Sequence, residues 1–421
     1  MITNVKYLIL GAGPAGLSFA HCLKNSGVDS FLVLEKESVP GGLCRSEEVD
    51  GSPFDIGGGH FLDVRRPKVN ELLFCFMPEE EWDLYERNSK IALHGTFVDH
   101  PLEGNIWQLD ETWQEKYLAS ISRAGCNTGT QMPPKFVEWI RWKLGDRIAE
   151  DYMLPYNRKM FQDALDEIGT YWLNKLPDVS YEDTLNSCRD KRPYGKQPGH
   201  AQFYYPKKYG YGEVWLRMGR ELGDRLLCNC AVTHMNVFEK TVQTQNGDVI
   251  RAERIITTVP WNSFSDLLGL SEDLLHEIGT LCSSSVETRY FDRNLDTKAH
   301  WIYEPSEEIP YHRILVRHNF CPGSKGFWTE TRKERTGFFG KETELKAFYL
   351  TGNEKITENQ FTYMNEYAYP INTVNKPQIM EKLRKEIVAH GVFGLGRWGE
   401  HEHYNSDATV ERAMNLAKEL V

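Results

Sequence analysis

The chain has 421 residues, a formal charge of −11, 40% hydrophobic and 26% charged residues. That length exceeds what a single hydrophobic core sustains, so two or three domains are expected. An acidic balance with no basic stripe argues against nucleic acid or anionic membrane as a partner, and no apolar run approaches the ~20 residues of a membrane span. Residues 5–10 (VKYLIL) make an apolar run of strand length. It leads into Gly11-Ala12-Gly13-Pro14-Ala15-Gly16, a helix-like segment ending near Gly27, a second apolar run at 31–34, and Glu35. Strand, GxGxxG, helix, strand and acid in this order form the dinucleotide pattern. Gly11 allows the tight turn, Gly13 the approach of a pyrophosphate, and Gly16 the packing of helix on strand. Pro14 and Ala15 open the helix whose N-terminus faces the anion, and Glu35, followed by Lys36, is placed for an adenosine ribose.

Two more glycine turns follow, Gly41-Gly42-Leu43-Cys44-Arg45-Ser46 and Phe54-Asp55-Ile56-Gly57-Gly58-Gly59-His60. A domain for NAD alone has no use for them, whereas a flavin needs bare backbone beside its long ring system. Here the chain resembles the large FAD family that includes amine oxidases, protoporphyrinogen oxidase and UDP-galactopyranose mutase. The resemblance implies FAD, with contacts from Gly42, Leu43, Arg45, Ser46, Gly58, Gly59 and His60.

Further along, residues 68–76 read as a helix and 91–98 as a hairpin turning at His94-Gly95. Residues 105–187 are rich in Trp, Leu and charge at helical spacing. Phe136, Trp139, Ile140, Leu144, Ile148 and Ala149 mark an amphipathic helix, where Trp139 reads first as core. Residues 203–215 (FYYPKKYGYGEVW) read as a glycine-punctuated loop entering a helix. Runs 228–237 and 241–245 read as a strand pair, with Asn246-Gly247 turning into 249–255. Residues 255–260 look like a buried strand returning to the first domain. Runs 300–303, 313–318 and 347–350 suggest an antiparallel sheet, and Lys333-Glu334-Arg335 a solvated loop. Gly394-Leu395-Gly396-Arg397-Trp398-Gly399 precedes a capped helix from about Asp407 to Leu420. The expected class is α/β: a three-layer Rossmann-like FAD-binding domain (1–75, 200–265, 385–421), a mainly helical insertion (105–199) and an antiparallel-sheet substrate domain (85–104, 266–384). The nine cysteines show no CxxC and no metal spacing, so no metal site is expected. Their odd number, and a chain that starts directly on a strand, suggest reduced thiols, no targeting segment and a cytoplasmic location.

Longer stretches narrow the resemblance. GGLCRS followed by FDIGGGH is similar to the GGLxRS and FDxGGH of UDP-galactopyranose mutases, with one extra glycine before His60. EWIRWKLGDRIAEDYMLPYNRKMF (138–161) resembles the long helix of the eukaryotic-type enzymes, which ends in PYN-x-K. HWIYEPSEEIPYHR (300–313), EYAYPINT (366–373) and GRWGEHEHYNSD (396–407) resemble three further segments of that family in the same order. The resemblance implies a pyranose–furanose isomerisation of a nucleotide-activated sugar, as in cell-surface polysaccharide biosynthesis. In it, reduced flavin (FADH−) attacks the anomeric carbon through N5, the diphosphate leaves and returns, and NAD(P)H can serve as the external reductant. It further implies His60, Arg313 and Arg397 as catalytic groups. Trp139, Asn157, Tyr303, Arg313, Tyr369, Arg397, His403 and Tyr404 become the substrate contacts, with Gly396, Asn405 and Asp407 on the flavin and Lys159 along the cleft. An arginine fork suits diphosphate oxygens better than a lysine point charge. Such enzymes need no nucleic acid and no membrane insertion, and a homo-oligomer is compatible with the pattern.

Three departures bear on specificity. The family's YPFQ reads His100-Pro101-Leu102-Glu103, so a glutamate replaces the uracil-contacting glutamine. FMRPYN reads Tyr152-Met153-Leu154-Pro155-Tyr156-Asn157, without the arginine. The segment after Arg397 is about two residues short, so the third diphosphate tyrosine corresponds to His403 by offset and to Tyr404 by type. The competing expectations are a hydride-accepting oxidoreductase of the amine oxidase or desaturase type, which predicts an apolar or aromatic-lined cavity, a remodelled family member acting on another nucleotide sugar, and a non-catalytic or remodelled member that binds FAD without mutase turnover.

Overall fold

The computed structural model describes residues 2–173, 176–196, 201–338 and 361–421. It is a mixed α/β protein with a Rossmann-like nucleotide-binding unit and several sheets. The first sheet has eight strands. In spatial order they run Leu226–Leu227, Phe31–Leu34, Ile2–Leu10, Val249–Thr257, Thr241–Thr244, Val232–Asn236 and Asp266–Leu268, with Val392–Gly394 also pairing with Val249–Thr257. The pairs around Ile2–Leu10 are parallel, as βαβ crossovers require. Leu8, Ile9, Leu10, Val33, Ile255 and Ile256 are buried, as expected of strands covered on both faces. The helix Pro14–Asn25 packs on the last helix, Ser406–Leu420, through Leu17, Ala20, Val410, Ala413 and Ala417. The chain's last element thus lies beside its first glycine turn.

The second sheet has seven strands in the order Phe361–Pro370, Ser283–Phe291, Phe327–Arg332, Arg313–Leu315, Trp301–Tyr303, Ser89–Leu93 and Thr96–Asp99. All its pairs are antiparallel except Trp301–Tyr303 with Ser89–Leu93. Between the sheets in sequence lies the helical region, including Glu111–Ser122, Phe136–Ile148, Leu154–Phe161 and Tyr181–Asp190. The long helix is broken. Gly145 leaves helical geometry at φ 73°, one loosened turn spans Ala149–Met153, and Leu154–Phe161 then carries PYN-x-K toward the second sheet.

Several expectations are corrected. Residues 203–206 are not loop: Gln202–Pro206 is a strand paired with Trp82–Glu86. Phe203 and Tyr205 are buried while Tyr204 is less so, a period of two that the nearby Pro206 and Gly210 obscure. The arm at 249–255 and the returning strand are one continuous strand, Val249–Thr257, which pairs with the hairpin at its start and with Val392–Gly394 at its end. The strand expected over 228–237 is confined to Val232–Asn236. The run 313–318 stays extended only through Leu315, because Arg317 turns inward and donates to the carbonyls of Val49, Ser52, Pro53 and Lys325. The expected strand at 347–350 lies outside the described residues. No described helix is long and apolar enough to cross a membrane, no described cluster of His, Cys, Asp and Glu could hold a metal, and all nine cysteines are unpaired.

Candidate active site

The first glycine turn is assembled by its own backbone. Gly11 N donates to Leu34 O at 2.7 Å, and Ala12 N donates to Glu35 Oε2 at 2.7 Å. Glu35 Oε1 accepts from Glu37 N at 3.0 Å, and burial raises the acid's pKa. A Cβ on Gly16 would lie 1.9 Å from Gly11 O, so this glycine is a packing requirement. Gly13 differs. Its φ is −77° and a Cβ there would meet nothing nearer than Gly42 Cα at 3.9 Å, so neither backbone nor protein packing demands glycine. What remains is space for a ligand beside the helix N-terminus. That helix has Pro14 in its first turn and no side-chain cap on its N–H groups, the arrangement that receives a pyrophosphate. Gly41 N donates to Ala12 O at 2.8 Å and joins the second turn to the first.

Other predicted cofactor contacts differ in what they touch. Leu43 O lies 1.9 Å from where a Cβ on Gly57 would sit, so the second and third turns interlock through bare backbone. Ser46 and Arg45 are spent on structure: Ser46 Oγ donates to Asp55 Oδ1 at 2.5 Å, and Arg45 binds Tyr363 and Glu37. Lys36 is exposed and pairs with Glu37 at 3.5 Å. Gly396 packs against Ala15 of the first helix, and Asn405 and Ser406 stand at the start of the last helix. Asn405 occupies the N-cap position, but its side chain makes no capping bond, correcting the expected cap. Asp407 is buried, accepts from Arg66 through Oδ2 at 2.5 Å and leaves Oδ1 without a partner among the described residues.

A cavity of ≈160 Å³ opens where these turns meet the second sheet, lined in part by Gly59, His60, Arg87, Tyr303, Arg313 and Asn405. His60 lies roughly parallel to Tyr211, with centroids 6.4 Å apart, and its buried Nε2 has no hydrogen-bond partner among the described residues. Burial, reinforced by the nearby Arg397 cation, holds its pKa down at about 3, so the imidazole is neutral at physiological pH. An orphaned ring nitrogen beside bare glycine backbone fits the polar edge of a flavin, as the Gly13 cradle fits its diphosphate.

Across the cavity, Tyr303 and Arg313 face each other in register on adjacent strands. Arg313 makes a forked pair with Glu330, Nη2 donating to Oε2 at 2.6 Å and Nε to Oε2 at 3.1 Å, and Nη2 also donates to Tyr369 Oη at 3.2 Å. Glu330 is 1% exposed. Burial alone would raise its pKa, yet Arg313 and the neighbouring His312 hold it at about 2. Gly58 and Gly59 are what admit this wall: a Cβ on Gly58 would stand 2.2 Å from Glu330 Oε1, and one on Gly59 would stand 2.4 Å from Leu315 Cδ2. Tyr303 Oη accepts from Arg87 Nη2 and from Trp301 Nε1, each at 2.9 Å.

Arg397 donates through Nε and Nη2 to Tyr404 O, at 3.0 and 2.8 Å, and through Nη1 to Ala368 O at 2.9 Å. Among the described residues these contacts use three of the five N–H donors of the guanidinium and leave two. Its Cζ lies 5.8 Å from the Tyr369 centroid, and the His403 ring lies 5.0 Å from the same ring. Of the two candidates after Arg397, His403 thus packs, tilted, against the phenol of the phenol–guanidinium cluster, while Tyr404 contributes its carbonyl.

Two substrate expectations fall away from the cavity. Trp139 is buried in the helical region, stacked on Phe136 at 5.8 Å, and is core. Asn157 donates back to Met153 O, at the end of the loosened turn before its helix, at 2.7 Å. Glu103, expected to lose the donor of a glutamine, is buried in Leu102–Asn105, and burial raises its pKa to about 7, so near neutral pH much of it keeps an O–H. Glu330, His312 and Arg87 were not anticipated. Glu330 sits in an alternating FWTETR strand, where a carboxylate looks solvent-facing, and only the opposing Arg313 makes it a buried partner.

The NAD(P)-binding Rossmann-like domain matches residues 9–75. A crystal structure of reduced UDP-galactopyranose mutase superposes with a TM-score of 0.86 over 100% of this chain and 94% of that one, at 22% identity. The fold is that of UDP-galactopyranose mutase. Putrescine oxidase bound to putrescine is more distant, with a TM-score of 0.65 and 15% identity over 100% of this chain and 99% of that one. By sequence, a carotenoid 3,4-desaturase of Haloarcula japonica is 24% identical over 282 residues, 60% of this chain and 55% of the desaturase. The chain spans about half the length of the curated relatives it matches.

Proposed function

We propose that this protein is an FAD-dependent isomerase that interconverts pyranose and furanose forms of a nucleotide-activated sugar. The observation that carries the reading is a polar cluster near the glycine turns: Tyr303 and Arg313 line the cavity, Tyr369 bonds Arg313, and Arg397 and His403 pack on the Tyr369 ring. An oxidase or desaturase of this fold has no need of two guanidiniums and two phenols opposite the flavin edge, whereas a departing and returning diphosphate does. Gly11, Gly13, Gly16 and Glu35 would hold the dinucleotide, and Gly57, Gly58, Gly59 and His60 the ring system. Bound in its reduced form, FAD supplies the nucleophile for the anomeric carbon. The protein's part is positional. Arg397 offers its two remaining N–H donors, and Arg313 is kept in place by Glu330. Tyr303 and Tyr369 offer hydroxyls held by Arg87 and Arg313, while neutral His60 adds no charge beside the cofactor. An external NAD(P)H would charge the flavin, and unpaired thiols fit a cytoplasmic setting.

The test is a trap. The dithionite-reduced protein is incubated without oxygen with UDP-galactose, and in parallel with other nucleotide sugars, in the presence of cyanoborohydride. The denatured flavin is then weighed by mass spectrometry. Flavin heavier by one glycosyl unit is the expected outcome, and the sugar nucleotide that produces it names the substrate. Unmodified flavin from every incubation, together with bleaching of oxidised flavin by an amine such as putrescine, would replace this reading with an oxidase.

A further inference from the structure

The PYN-x-K motif contains a lysine that the substrate reading leaves without a task. Lys159 is 1% exposed, and its ammonium donates to Glu304 O at 2.7 Å and Tyr311 O at 3.0 Å. Those carbonyls lie at the mouth of one hairpin. Tyr303 pairs with Arg313 across its two strands, Glu304 N then donates to His312 O at 2.9 Å, and beyond this rung the strands part into the loop 305–310. Lys159 therefore bridges both strands at the point where the ladder ends, one or two residues from the two side chains that face the cavity. The helix bearing it is itself anchored to the sheet, because Met160 O accepts from Ser284 Oγ at 2.9 Å and from Arg332 Nη1 at 3.2 Å.

We propose that Lys159 is a positioning residue that pins the 301–315 hairpin to the helical region and so sets the separation of Tyr303 and Arg313. The last clause rests on reading the cavity as a diphosphate site; the pin itself does not. Among the described residues the Lys159 ammonium donates to main-chain oxygens; a buried cation held this way is costly, and its persistence needs those bonds. Burial lowers the Lys159 pKa to about 7, against Glu304 and Glu307 of the loop, which raise it; Arg335 and His312 face the same spot. The pin is strongest when the amine is charged and weakens as the charge is lost, because charge-assisted hydrogen bonds are about twice as strong as neutral ones.

Hydrogen–deuterium exchange of the FAD-loaded protein tests the pin without any substrate. After correction for intrinsic rates, peptides within 301–315 of the wild type should exchange about tenfold faster at pH 9 than at pH 6, the fold-change that one such bond carries, with the strands of the first sheet unchanged. Lys159→Met should show the fast rate at both pH values. Lys159→Arg, which stays charged throughout, should show the slow rate at both. Wild-type protection of 301–315 that is flat from pH 6 to pH 9 would overturn the proposal, as would a folded Lys159→Met with wild-type exchange at pH 6. Titration with UDP reports on the cavity separately. A weaker wild-type affinity at pH 9 that Lys159→Arg abolishes supports the link to Tyr303 and Arg313. No UDP binding by a protein that shows the exchange pattern would refute the diphosphate reading and leave the pin standing.

Discussion

Replacing Glu330 with glutamine removes one negative charge from a site with 1% exposure while preserving shape. The size of the effect follows from the carboxyl's pKa, which Arg313 and His312 bring from an ordinary 4.5 to about 2 despite burial. A displacement of that size corresponds to about 3 kcal/mol of stability at neutral pH, at 1.36 kcal/mol per pKa unit. That agrees with the ~3–5 kcal/mol lost when one partner of a buried pair is deleted. With an unfolding entropy of ~2 cal/mol/K per residue, the melting temperature should drop by roughly 3–4 °C. Because the folded pKa lies below the unfolded one, the contribution is complete above about 4.5 and is lost only as pH falls from there through about 2. Differential scanning calorimetry of wild type and Glu330→Gln at pH 7, 5.5 and 4 should therefore give a nearly constant gap at the first two values and the first narrowing at the third. Equal melting temperatures at pH 7, or a gap that has vanished by pH 5.5, would refute the claim that Arg313 and Glu330 form a closed buried pair.

Gly13→Ala should fold with an unchanged apoprotein melting temperature yet purify without flavin absorbance, because only the ligand needs that space. Gly16→Ala should instead lower the yield of folded protein, since its Cβ would stand 1.9 Å from Gly11 O. His403→Ala should raise KM for the trapped sugar nucleotide roughly tenfold, the worth of one ligand contact of about 1.4 kcal/mol, while Tyr404→Phe leaves it within about twofold, because Tyr404 serves Arg397 through its carbonyl; steady-state assays decide between them. His60, with a folded pKa of about 3, binds no proton at neutral pH and must gain one on unfolding at acid pH. Wild type should therefore lose stability between pH 6.5 and 4 more steeply than His60→Asn, as read by urea titration at each pH.

Much of the nucleotide-binding half was legible from the linear order of residues because its determinants are local. A GxGxxG between two apolar runs constrains turn, helix and acid within 35 residues, and the structure places Gly11 and Glu35 in the bonds, and Gly16 in the close packing, that the pattern needs. The Asn246-Gly247 hairpin and the amphipathic helix around Ile140 were readable for the same reason. The strand Gln202–Pro206 was not, because its partners Leu62–Asp63 and Trp82–Glu86 are more than a hundred residues away and its own period of two is masked by proline and glycine. The site divides along the same line. Sequence named Arg313, Tyr303, Tyr369 and Arg397 by residue type and resemblance, yet it could not distinguish Trp139 as core or His403 from Tyr404.

Residue order by itself determined the dinucleotide turn, the helical region and the cast of arginines and tyrosines, since each is set by neighbours a few positions apart. Only the tertiary structure decided which charges are already spent. Glu330 meets Arg313 across a strand pair, Arg397 is half occupied by the carbonyls of residues 368 and 404, and Lys159 lies buried beneath the hairpin rather than along the cleft. Those facts depend on pairings between segments up to 152 residues apart, here from Lys159 to Tyr311. Burial turns such contacts from interchangeable surface charges into fixed partners, because the interior leaves no water to replace them.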